Sequence, residues 1–375
     1  MTKINVLHLT FDMRIGGTEQ VIKSLVEYTD QTQFDMSILC IESPLGPFAD
    51  DLIAKGICIT ALSRSPGFDV QLITQIRTHI KQHHIDILHC HQYTPWVYGA
   101  LSALGTRAKV VFTEHGRFYP DSSSWKRKLI NPWLHRMTAA TTAISQATKD
   151  ALVHYEYIPV KDIQVIYNGI SSLEINLQKV DQLRREFGID KNTLCLGTVA
   201  RLDPIKNHSM MLYAFKQILD KGIDAKLLIV GDGEMRQTIE KLVAELKLDE
   251  RVVMTGYQAK PQHHLALMDI YLLSSFSEGT SMTLLEAMSI GKACVVTDVG
   301  GNPEVIEHNK NGLVTPNDDA NAFADAIVAL AIDPSLREAM AKQSQLRFGQ
   351  NFSAGSMARM FYHLYQQMYH TNCVR

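Results

Sequence analysis

The sequence contains no apolar run approaching the roughly 18 residues of a membrane-spanning helix, and its first residues, MTKINVLHLTF, lack the apolar core and cleavage site of a secretory signal. Its six cysteines form no Cys-x-x-Cys pair and lie mostly within apolar runs, which favours buried free thiols in a reducing compartment. Basic and acidic side chains nearly balance, 37 against 39, so no overall field attracts nucleic acid. We therefore expect a cytoplasmic protein that does not bind nucleic acid.

The composition is that of an ordinary globular protein with an alternating pattern. Hydrophobic residues make up 46% of the 375 residues, enough for two large cores at roughly 150 residues per domain. Short β-branched runs alternate with amphipathic stretches, give way to an irregular segment near 170–190, and then begin again. This alternation predicts parallel sheets built from βαβ units. The predicted fold is therefore α/β, with two doubly wound domains and a ligand in the cleft between them.

Two series of strands are predicted. The first comprises Ile4–Thr10, Met36–Ile41, Ile85–Cys90, Val110–Glu114 and Thr141–Ile144. The second comprises Cys195–Ala200, Lys226–Val230, Val252–Thr255, Ile270–Leu273 and Ala293–Thr297. Helices such as Thr18–Thr29, Val70–His84, Ser209–Asp220 and Ser281–Ile290 separate them. From its own amphipathic pattern, the last stretch, Phe352–Tyr369, is a further core helix of the second domain.

Two glutamates separated by seven residues mark the segment from Ser277 to Met288. Glu278 follows a predicted strand at the carboxyl edge of the sheet, and Glu286 lies in the next helix. The N-terminus of that helix, from Ser281, offers free N–H groups and a dipole that suit a phosphate. Such a pair can bracket an anionic ligand through its hydroxyl groups. From the spacing alone, however, a helix-start acid and a solvated surface acid are the more common explanation.

Three further segments follow predicted strands. Arg201 and Lys206 share a strand-to-helix loop, where two cations can hold a pyrophosphate and stabilise a leaving nucleoside diphosphate. Gly16 and Gly17 let a helix N-terminus approach a ligand closely, but they lack the GxGxxG spacing of a dinucleotide dehydrogenase. His115 comes directly after a strand. Exposed loop cations, a tight turn and a satisfied polar histidine are the alternative interpretations from the residues alone.

The sequence EGTSMTLLEAMSIGKACVVTDVGGNPEV, residues 278–305, resembles the EX7E region of the family 4 retaining glycosyltransferases. The other segments occur in matching order along nearly the whole chain. The resemblance implies the GT-B fold, in which two Rossmann-like domains face each other across an interdomain cleft. It assigns residues 1–170 plus 353–375 to an N-terminal, acceptor-side domain, so that the last helix crosses back to it. Residues 171–352 then form a C-terminal domain that binds the nucleotide sugar.

The resemblance also implies roles for the residues of the EX7E region. Glu286 matches the family glutamate that holds the ribose hydroxyls of the nucleotide. Glu278 matches the glutamate that hydrogen-bonds hydroxyls of the transferred hexose. The backbone N–H groups of Thr283 and Leu284 are expected to contact the diphosphate. The chain departs from the pattern at Ser281, where many relatives have proline.

Roles for the remaining motifs follow from the same resemblance. Arg201 and Lys206 match the phosphate-binding pair of the family. Gly16 and Gly17 match a loop that lies over the donor phosphates and near the acceptor. His115 matches the N-domain histidine that contacts the transferred sugar near the reacting centre. We therefore expect His115, Glu278, Arg201 and Lys206 to act in catalysis, and the other matched residues to bind the donor.

The activity implied by the resemblance is transfer of a hexose from a nucleoside-diphosphate sugar to a hydroxyl acceptor, with retention of anomeric configuration. A UDP-sugar is favoured over a GDP-sugar as donor. The expected acceptor is a saccharide or lipid-linked saccharide, in surface polysaccharide or glycolipid assembly. Two alternatives stay open: a GT-B nucleotide-sugar epimerase or hydrolase, and a catalytically idle nucleotide-sugar-binding subunit.

No metal or other cofactor is expected. The sequence has no Asp-x-Asp pair, on which metal-dependent sugar transfer of the GT-A type usually relies. His89 and His91 look like metal ligands, but Cys90 between them points to the opposite face of a strand. The three residues are therefore not expected to make a compact ligand set.

The segment 124–136 is basic and contains two tryptophans. Such a segment can rest on an anionic membrane surface. A solvated helix face with buried tryptophan anchors fits the composition equally well. Peripheral membrane contact through 124–136 would place the protein at the inner face of the membrane.

Overall fold

The computed structural model describes residues 3–116, 124–190 and 192–370. The chain divides into two compact units, residues 1–171 with 352–375 and residues 172–351. The boundaries expected at 170 and 353 lie within one residue of these. Among the described helices, none combines the length and apolar character needed to cross a bilayer.

The first unit is built on seven parallel strands: β1 (Ile4–Thr10), β2 (Phe34–Cys40), β3 (Cys58–Ala61), β4 (Ile87–His91), β5 (Lys109–Glu114), β6 (Thr138–Ala143) and β7 (Ile163–Val165). The helices are α1 (Gly17–Tyr28), α2 (Pro47–Ala54), α3 (Val70–Gln82), α4 (Tyr93–Ala103), α5 (Trp125–Arg136) and α6 (Gln146–Glu156), joined later by α15 (Ala354–His370). The strand order is β3-β2-β1-β4-β5-β6-β7. The direction of winding therefore reverses between β1 and β4, the position where doubly wound sheets bind ligands.

Strand β4 shows how this sheet is buried on both faces. Leu88 and Cys90 belong to an apolar core with Trp96 and Phe112, whose rings stack at 4.3 Å between centroids. Residues of a strand alternate between faces, so His89 points the other way. There its ring contacts two aromatic rings of α15.

Helix α15 packs on the first unit. Its N-terminal end is tied to that unit by a bridge between Ile170 and Ser353, and near its C-terminal end the backbone oxygen of Met368 accepts a hydrogen bond from Lys109. The ring of Tyr365 packs edge-on against Phe34 of β2. The assignment of this stretch to the core of the second domain, made from its periodicity, was therefore wrong. Periodicity identifies an apolar helix face but not the surface that covers it.

The second unit has six parallel strands: β8 (Leu194–Val199), β9 (Ala225–Val230), β10 (Val252–Gly256), β11 (Ile270–Leu273), β12 (Ala293–Thr297) and β13 (Leu313–Thr315). Its helices are α7 (Leu177–Glu186), α8 (His208–Asp220), α9 (Arg236–Glu245), α10 (Gln262–Leu267), α11 (Met282–Ser289), α12 (Asn302–Val305), α13 (Ala320–Ile332) and α14 (Pro334–Arg347). The order β10-β9-β8-β11-β12-β13 reverses direction between β8 and β11.

The cysteines in the described residues are free. Cys40, Cys90, Cys195 and Cys294 are buried, whereas Cys58 is exposed. Cys373 lies outside the described residues. The expectation of buried thiols therefore fails at Cys58, which lies on β3 at the edge of the first sheet.

Candidate active site

The reversal point of the second sheet brings together three of the residues singled out in the sequence. Arg201 and Lys206 follow β8, and Glu278 follows the adjacent strand β11. Because parallel strands end at the same edge of a sheet, loops that are far apart in sequence converge there. The Nζ of Lys206 lies 2.6 Å from Oε1 of Glu278.

Glu278 is held firmly. Its side chain is only 8% exposed, and the same oxygen that pairs with Lys206 accepts a hydrogen bond from the Ser275 hydroxyl at 2.6 Å. A buried carboxylate is stable when it is paired and hydrogen-bonded in this way. The interpretation of Glu278 as an ordinary helix-start acid therefore does not describe this residue, whose carboxylate binds Lys206.

Arg201 contrasts with Lys206 in its exposure. Its side chain is 77% exposed, and its Nε lies 2.8 Å from Oδ2 of Asp203. The other oxygen of Asp203 accepts the backbone N–H of Lys206 and so caps the short 3₁₀ turn Pro204–Lys206. One carboxylate thus binds the Arg201 guanidinium and the backbone of Lys206. Sequence reasoning missed Asp203, although an Asp directly before a Pro is a known signal for the start of a helical turn.

Two glycine turns allow the loops of this site to approach one another. Gly231 has a φ of +145°, and a Cβ there would lie 1.9 Å from the backbone oxygen of Ala200. Gly300 has a φ of +51°, and its Cβ would lie 1.7 Å from the backbone oxygen of Glu278. Any other residue at either place would push the Arg201 loop or the Glu278 loop away.

Glu286 lies in the second turn of α11 and is not a solvated surface acid. Its Oε2 is buried and has no hydrogen-bond partner among the described residues. Burial raises the pKa of this carboxyl from an ordinary value of 4.5 to about 7. An unpartnered buried carboxylate is costly, and such costs are characteristic of positions that await a ligand.

The N-terminus of α11 is capped by Ser281. The Ser281 hydroxyl accepts the backbone N–H of Leu284 at 3.3 Å. The hydroxyl of Thr283 lies 2.7 Å from that of Tyr271. A phosphate that bound the Leu284 amide would therefore share or replace the Ser281 cap.

The first unit places Gly16 and Gly17 at the start of α1, directly after β1. A Cβ on Gly16 would lie 2.3 Å from Oε2 of Glu19, so the side chain of Glu19 folds back over this glycine. Burial, reinforced by the charge of Asp12, raises the pKa of Glu19 to about 7. Glu19 is a second acid near a predicted site that sequence reasoning did not identify as functional.

His115 lies directly after β5, at the carboxyl edge of the same sheet. Its backbone N–H donates to Oε1 of Glu114 at 3.0 Å, and its ring Nε2 lies 2.8 Å from Nδ1 of His91. Its other ring nitrogen, Nδ1, is buried and has no partner among the described residues. Among the described residues, the ring of His115 is thus hydrogen-bonded through Nε2 alone.

Gln92, directly after His91, is a third residue that sequence reasoning missed. Gln92 has φ +71° and ψ 168°, a combination almost restricted to glycine, and its side-chain amide donates to the hydroxyl of Thr18 at 3.2 Å. The contact joins the end of β4 to the start of α1, across the reversal point of this sheet. Only a positive φ in the folded chain marks Gln92, and the sequence carries no signal for it.

Three buried histidines also form a compact group on this sheet. His8 of β1 is paired in register with His89 of β4, and the ring nitrogens of His8, His89 and His91 include three that all lie within 4.8 Å of one another. Cys90 lies on the opposite face and is not part of this group, as expected, and β1 supplies the third member instead. Both ring nitrogens of His89 already have hydroxyl partners, Tyr365 and Thr113, each at 2.6 Å. A metal ion bound by this group would displace those bonds.

Helix α5 covers most of the segment 124–136 and exposes most of its large apolar side chains, although Leu134 is buried. Trp125 is 71%, Leu129 69% and Trp133 50% exposed, so the tryptophans are not buried anchors. The helix is fixed from its other side, where Arg127 and Asn131 both bind the buried carboxylate of Glu156. The exposed tryptophans and the cations Lys126, Lys128 and Arg136 therefore remain on one anchored helix.

The comparisons with known proteins decide the family. Residues 15–172 match the profile of Glycosyltransferase Family 4, and residues 179–347 match that of Glycosyl transferases group 1. The chain is 31% identical over 305 residues to N-acetyl-alpha-D-glucosaminyl L-malate synthase of Bacillus anthracis, covering 80% of this chain and 79% of that protein. This chain is a family 4 glycosyltransferase.

Two further likenesses concern a relative and a solved structure. Over 348 residues the glycosyltransferase is 26% identical to the UDP-Gal:alpha-D-GlcNAc-diphosphoundecaprenol alpha-1,3-galactosyltransferase of Escherichia coli, covering 89% and 90% of the two chains. The Anabaena protein Alr3699/HepE, solved with UDP and glucose, superimposes with a TM-score of 0.83 at 22% identity, covering 96% and 99%. The fold is thus GT-B.

Proposed function

We propose that this glycosyltransferase moves a hexose from a UDP-sugar to a hydroxyl of a saccharide or lipid-linked saccharide, with retention of configuration and without a metal ion. The observation that supports the donor most directly is the second unit's site. It combines an exposed arginine, a lysine bound to a buried glutamate, and a carboxylate with one buried oxygen that has no partner among the described residues. These groups suit a diphosphate, the hydroxyls of a sugar, and the hydroxyls of a ribose.

In this proposal the diphosphate binds to Arg201 and Lys206. Both cations are already oriented by carboxylates, so little reorganisation is needed when charge develops on the leaving group. Glu286 accepts the ribose hydroxyls, which supply the hydrogen bonds that its buried oxygen lacks. The amides at the start of α11 add a contact to the phosphates.

Glu278 acts in this proposal as a ligand of sugar hydroxyls and not as a covalent nucleophile. Its Oε1 is engaged by the Lys206 ammonium and the Ser275 hydroxyl, which reduces the electron density that an attacking oxygen needs. Retention then follows from attack on the same face as the departing phosphate, which takes the proton of the acceptor hydroxyl. The protein contributes position and charge stabilisation.

A UDP-sugar is proposed as donor because the E. coli relative is named for UDP-Gal and the Anabaena structure contains UDP. The same relative acts on a diphosphoundecaprenol-linked sugar, and a Campylobacter jejuni relative, 28% identical over 204 residues, is likewise named for a diphospho-undecaprenol acceptor. These names support a lipid-linked acceptor for this chain.

The test is a thermal-unfolding screen of the purified protein with UDP, GDP, ADP and their hexose conjugates, in the presence of EDTA. A ligand at 100 times its Kd adds about 2.7 kcal/mol to the stability of the folded protein, enough for a clear shift in Tm. Stabilisation by UDP and one UDP-hexose alone is the expected result. Stabilisation by GDP or ADP instead would change the donor, and no response from folded protein would overturn the donor site. Ligand binding only after addition of a divalent metal would overturn metal independence.

The screen is followed by an acceptor assay that separates the alternatives. With the identified donor, a transferase gives product only when a saccharide or lipid-linked saccharide is added. An epimerase or hydrolase converts the donor without any acceptor, and an idle subunit binds it unchanged. The configuration at the anomeric carbon of the product, read by NMR, tests retention.

Membrane contact through α5 is the part of the proposal concerned with the acceptor. We expect the protein to bind vesicles rich in anionic phospholipid, because the exposed apolar side chains can insert while neighbouring cations meet the headgroups. Changing Trp125 and Trp133 together to serine should abolish co-sedimentation with these vesicles. Phe68→Ser removes a side chain that is 62% exposed elsewhere on the first unit and should leave binding unchanged. Equal binding by the tryptophan variant and the wild type would contradict a role for α5.

A further inference from the structure

Three histidines, His8, His91 and His115, form a hydrogen-bonded chain that ends at Nδ1 of His115, which has no partner in the part of the chain that the structure describes. Nδ1 of His8 lies 2.9 Å from Nε2 of His91, and Nδ1 of His91 lies 2.8 Å from Nε2 of His115. The chain starts on β1, passes through β4 and ends after β5, three adjacent strands of the first sheet. Each ring is linked to the next through a single pair of nitrogens.

Two neutral imidazoles can share a hydrogen bond only if one donates and the other accepts. Burial lowers the pKa of His8 and of His115 to about 3 and that of His91 well below its ordinary value, so all three are neutral at pH 7. Each ring therefore carries one proton. Because every ring has one proton, the direction of one hydrogen bond fixes the direction of the other. The chain has only two possible arrangements.

The two arrangements differ in what they leave at the ends. If each ring donates toward His115, Nε2 of His8 is unprotonated and Nδ1 of His115 carries a proton. If each ring donates toward His8, Nε2 of His8 carries a proton and Nδ1 of His115 is unprotonated. Neither end nitrogen has a partner among the described residues. At His8, therefore, the first arrangement leaves an unpaired acceptor and the second leaves an unpaired N–H donor.

A buried N–H donor without a partner is rarer and more costly than an under-used acceptor. His8 is completely buried, whereas His115 is only partly buried and lies at the carboxyl edge of the sheet, the edge at which doubly wound sheets bind ligands. The first arrangement is therefore preferred, because the single unsatisfied donor then lies at the less buried end of the chain.

We propose that His8 and His91 are positioning residues that hold His115 in the tautomer with its proton on Nδ1, so that His115 donates a hydrogen bond to an oxygen of the transferred sugar. The role given to the sugar rests on the proposed function; the tautomer does not. His89 is outside this chain, because its two ring nitrogens bind the hydroxyls of Tyr365 and Thr113.

The first experiment measures the tautomer in the ligand-free protein and does not depend on any activity. Protein with 15N-labelled histidine is examined by NMR, where protonated and bare ring nitrogens have well-separated shifts, and His115→Gln assigns the signals. We expect the proton of His115 on Nδ1. The His91→Leu variant loses the donor to Nε2 of His115. The proton of His115 should then move to Nε2, which gives the tautomer that a free histidine side chain prefers. A proton on Nε2 of His115 in the wild type would overturn the proposal.

Two variants test the chain itself. His91→Asn places an amide near the position of the imidazole Nδ1, so it can still donate to His115 and should preserve the Nδ1 proton. His8→Leu removes the donor to His91 and should leave His115 as a mixture of both tautomers. If His8→Leu left His115 unchanged, the chain would end at His91 and the role of His8 would be wrong. One equivalent of tightly bound metal in the purified protein would also overturn the chain, since an ion would occupy the nitrogens that it uses.

The second experiment asks whether the tautomer matters for transfer. His91→Leu should lower kcat by about 10–100-fold, the usual effect of removing a partner that orients a functional histidine or ligand, while the Kd for the nucleoside diphosphate stays constant. His91→Asn should recover most of kcat. His264→Leu, which removes a buried histidine of the second unit, is the matched control and should leave kcat unchanged. If His91→Leu changed the tautomer of His115 but not kcat, the hydrogen-bonded chain would stand and its proposed role toward the sugar would be wrong.

Discussion

Replacing Lys206 with alanine should lower kcat/KM for sugar transfer by about 10²–10³-fold, equivalent to about 2.7–4 kcal/mol of transition-state stabilisation. The ammonium is oriented by Glu278 at 2.6 Å and is only 22% exposed, so it acts where water screens its charge poorly. Its loss removes a positive charge that the departing diphosphate requires. Arg201→Ala should have an effect of the same size on the same quantity.

Steady-state kinetics with the donor found by the unfolding screen measure this effect. Lys216→Ala is the matched control, because Lys216 lies on α8 in the same unit and pairs with Asp220 on the surface. Lys206→Ala leaves Glu278 without its cation, although Glu278 keeps its bond to Ser275. Thermal unfolding checks that this loss does not destabilise the variant. If Lys206→Ala and Lys216→Ala gave the same kcat/KM, the phosphate-binding assignment would have to be abandoned.

Changing Glu286 to glutamine should weaken nucleotide binding and, above pH 7, stabilise the free protein. An ionised carboxylate that accepts two hydroxyl hydrogen bonds contributes about 1.5–3 kcal/mol per bond, so the loss of its charge should raise the Kd for UDP by about 10–100-fold. In the wild type, affinity should rise with pH through about 7, because binding favours the ionised form of Glu286. The glutamine variant should lack this pH dependence of affinity. Comparing the pH profiles of the two proteins cancels the effect of titration of the nucleotide itself, which both share.

The stability effect has the opposite sign. Burial raises the folded-state pKa of Glu286 above its unfolded value, so the folded protein retains a proton that the unfolded chain has lost between pH 4.5 and 7. The free energy of unfolding therefore falls as pH rises through that window. Glutamine does not titrate, and the variant should be more stable than the wild type by about 1–3 kcal/mol at pH 8 and equal to it near pH 4.

Calorimetry measures the binding effect, and denaturant unfolding at pH 4 and pH 8 measures the stability effect. Glu278→Ala is the contrasting variant, which should impair use of the sugar and leave the affinity for free UDP nearly intact. If Glu278→Ala abolished UDP binding while Glu286→Gln spared it, the roles of the two glutamates would be exchanged. Lower stability of Glu286→Gln at pH 8 would contradict the origin of the raised pKa in burial.

The sequence alone determined the elements with a strong pattern and the motifs that follow them. The strands Ile270–Leu273 and Ala293–Thr297 have the bounds that the apolar runs predicted, and Ile4–Thr10 does too. Such strands are buried on both faces, so continuous apolar runs mark them clearly. The short strands Cys58–Ala61 and Leu313–Thr315 were not predicted, because each lies at a sheet edge and carries too few residues for a pattern.

The candidate site was predictable wherever a residue stands directly after a strong strand. Arg201, Lys206 and Glu278 meet because parallel strands share a carboxyl edge, a rule of topology that needs no coordinates. Asp203 was missed although its capping signal is present, since a helix-start acid has many ordinary explanations.

Only the tertiary structure decided the rest. His8 and His91 are separated by more than eighty residues, and nothing local in either segment indicates that their rings are hydrogen-bonded. The unpartnered oxygen of Glu286 depends on what surrounds it. The periodicity of α15 did not indicate which unit it packs on, because many surfaces can cover an apolar face, whereas the family resemblance assigned it to the first unit, where it lies. Sequence patterns record local geometry and strand order. Burial, tautomers and pKa values arise from packing between segments far apart in the chain, which a local pattern does not contain.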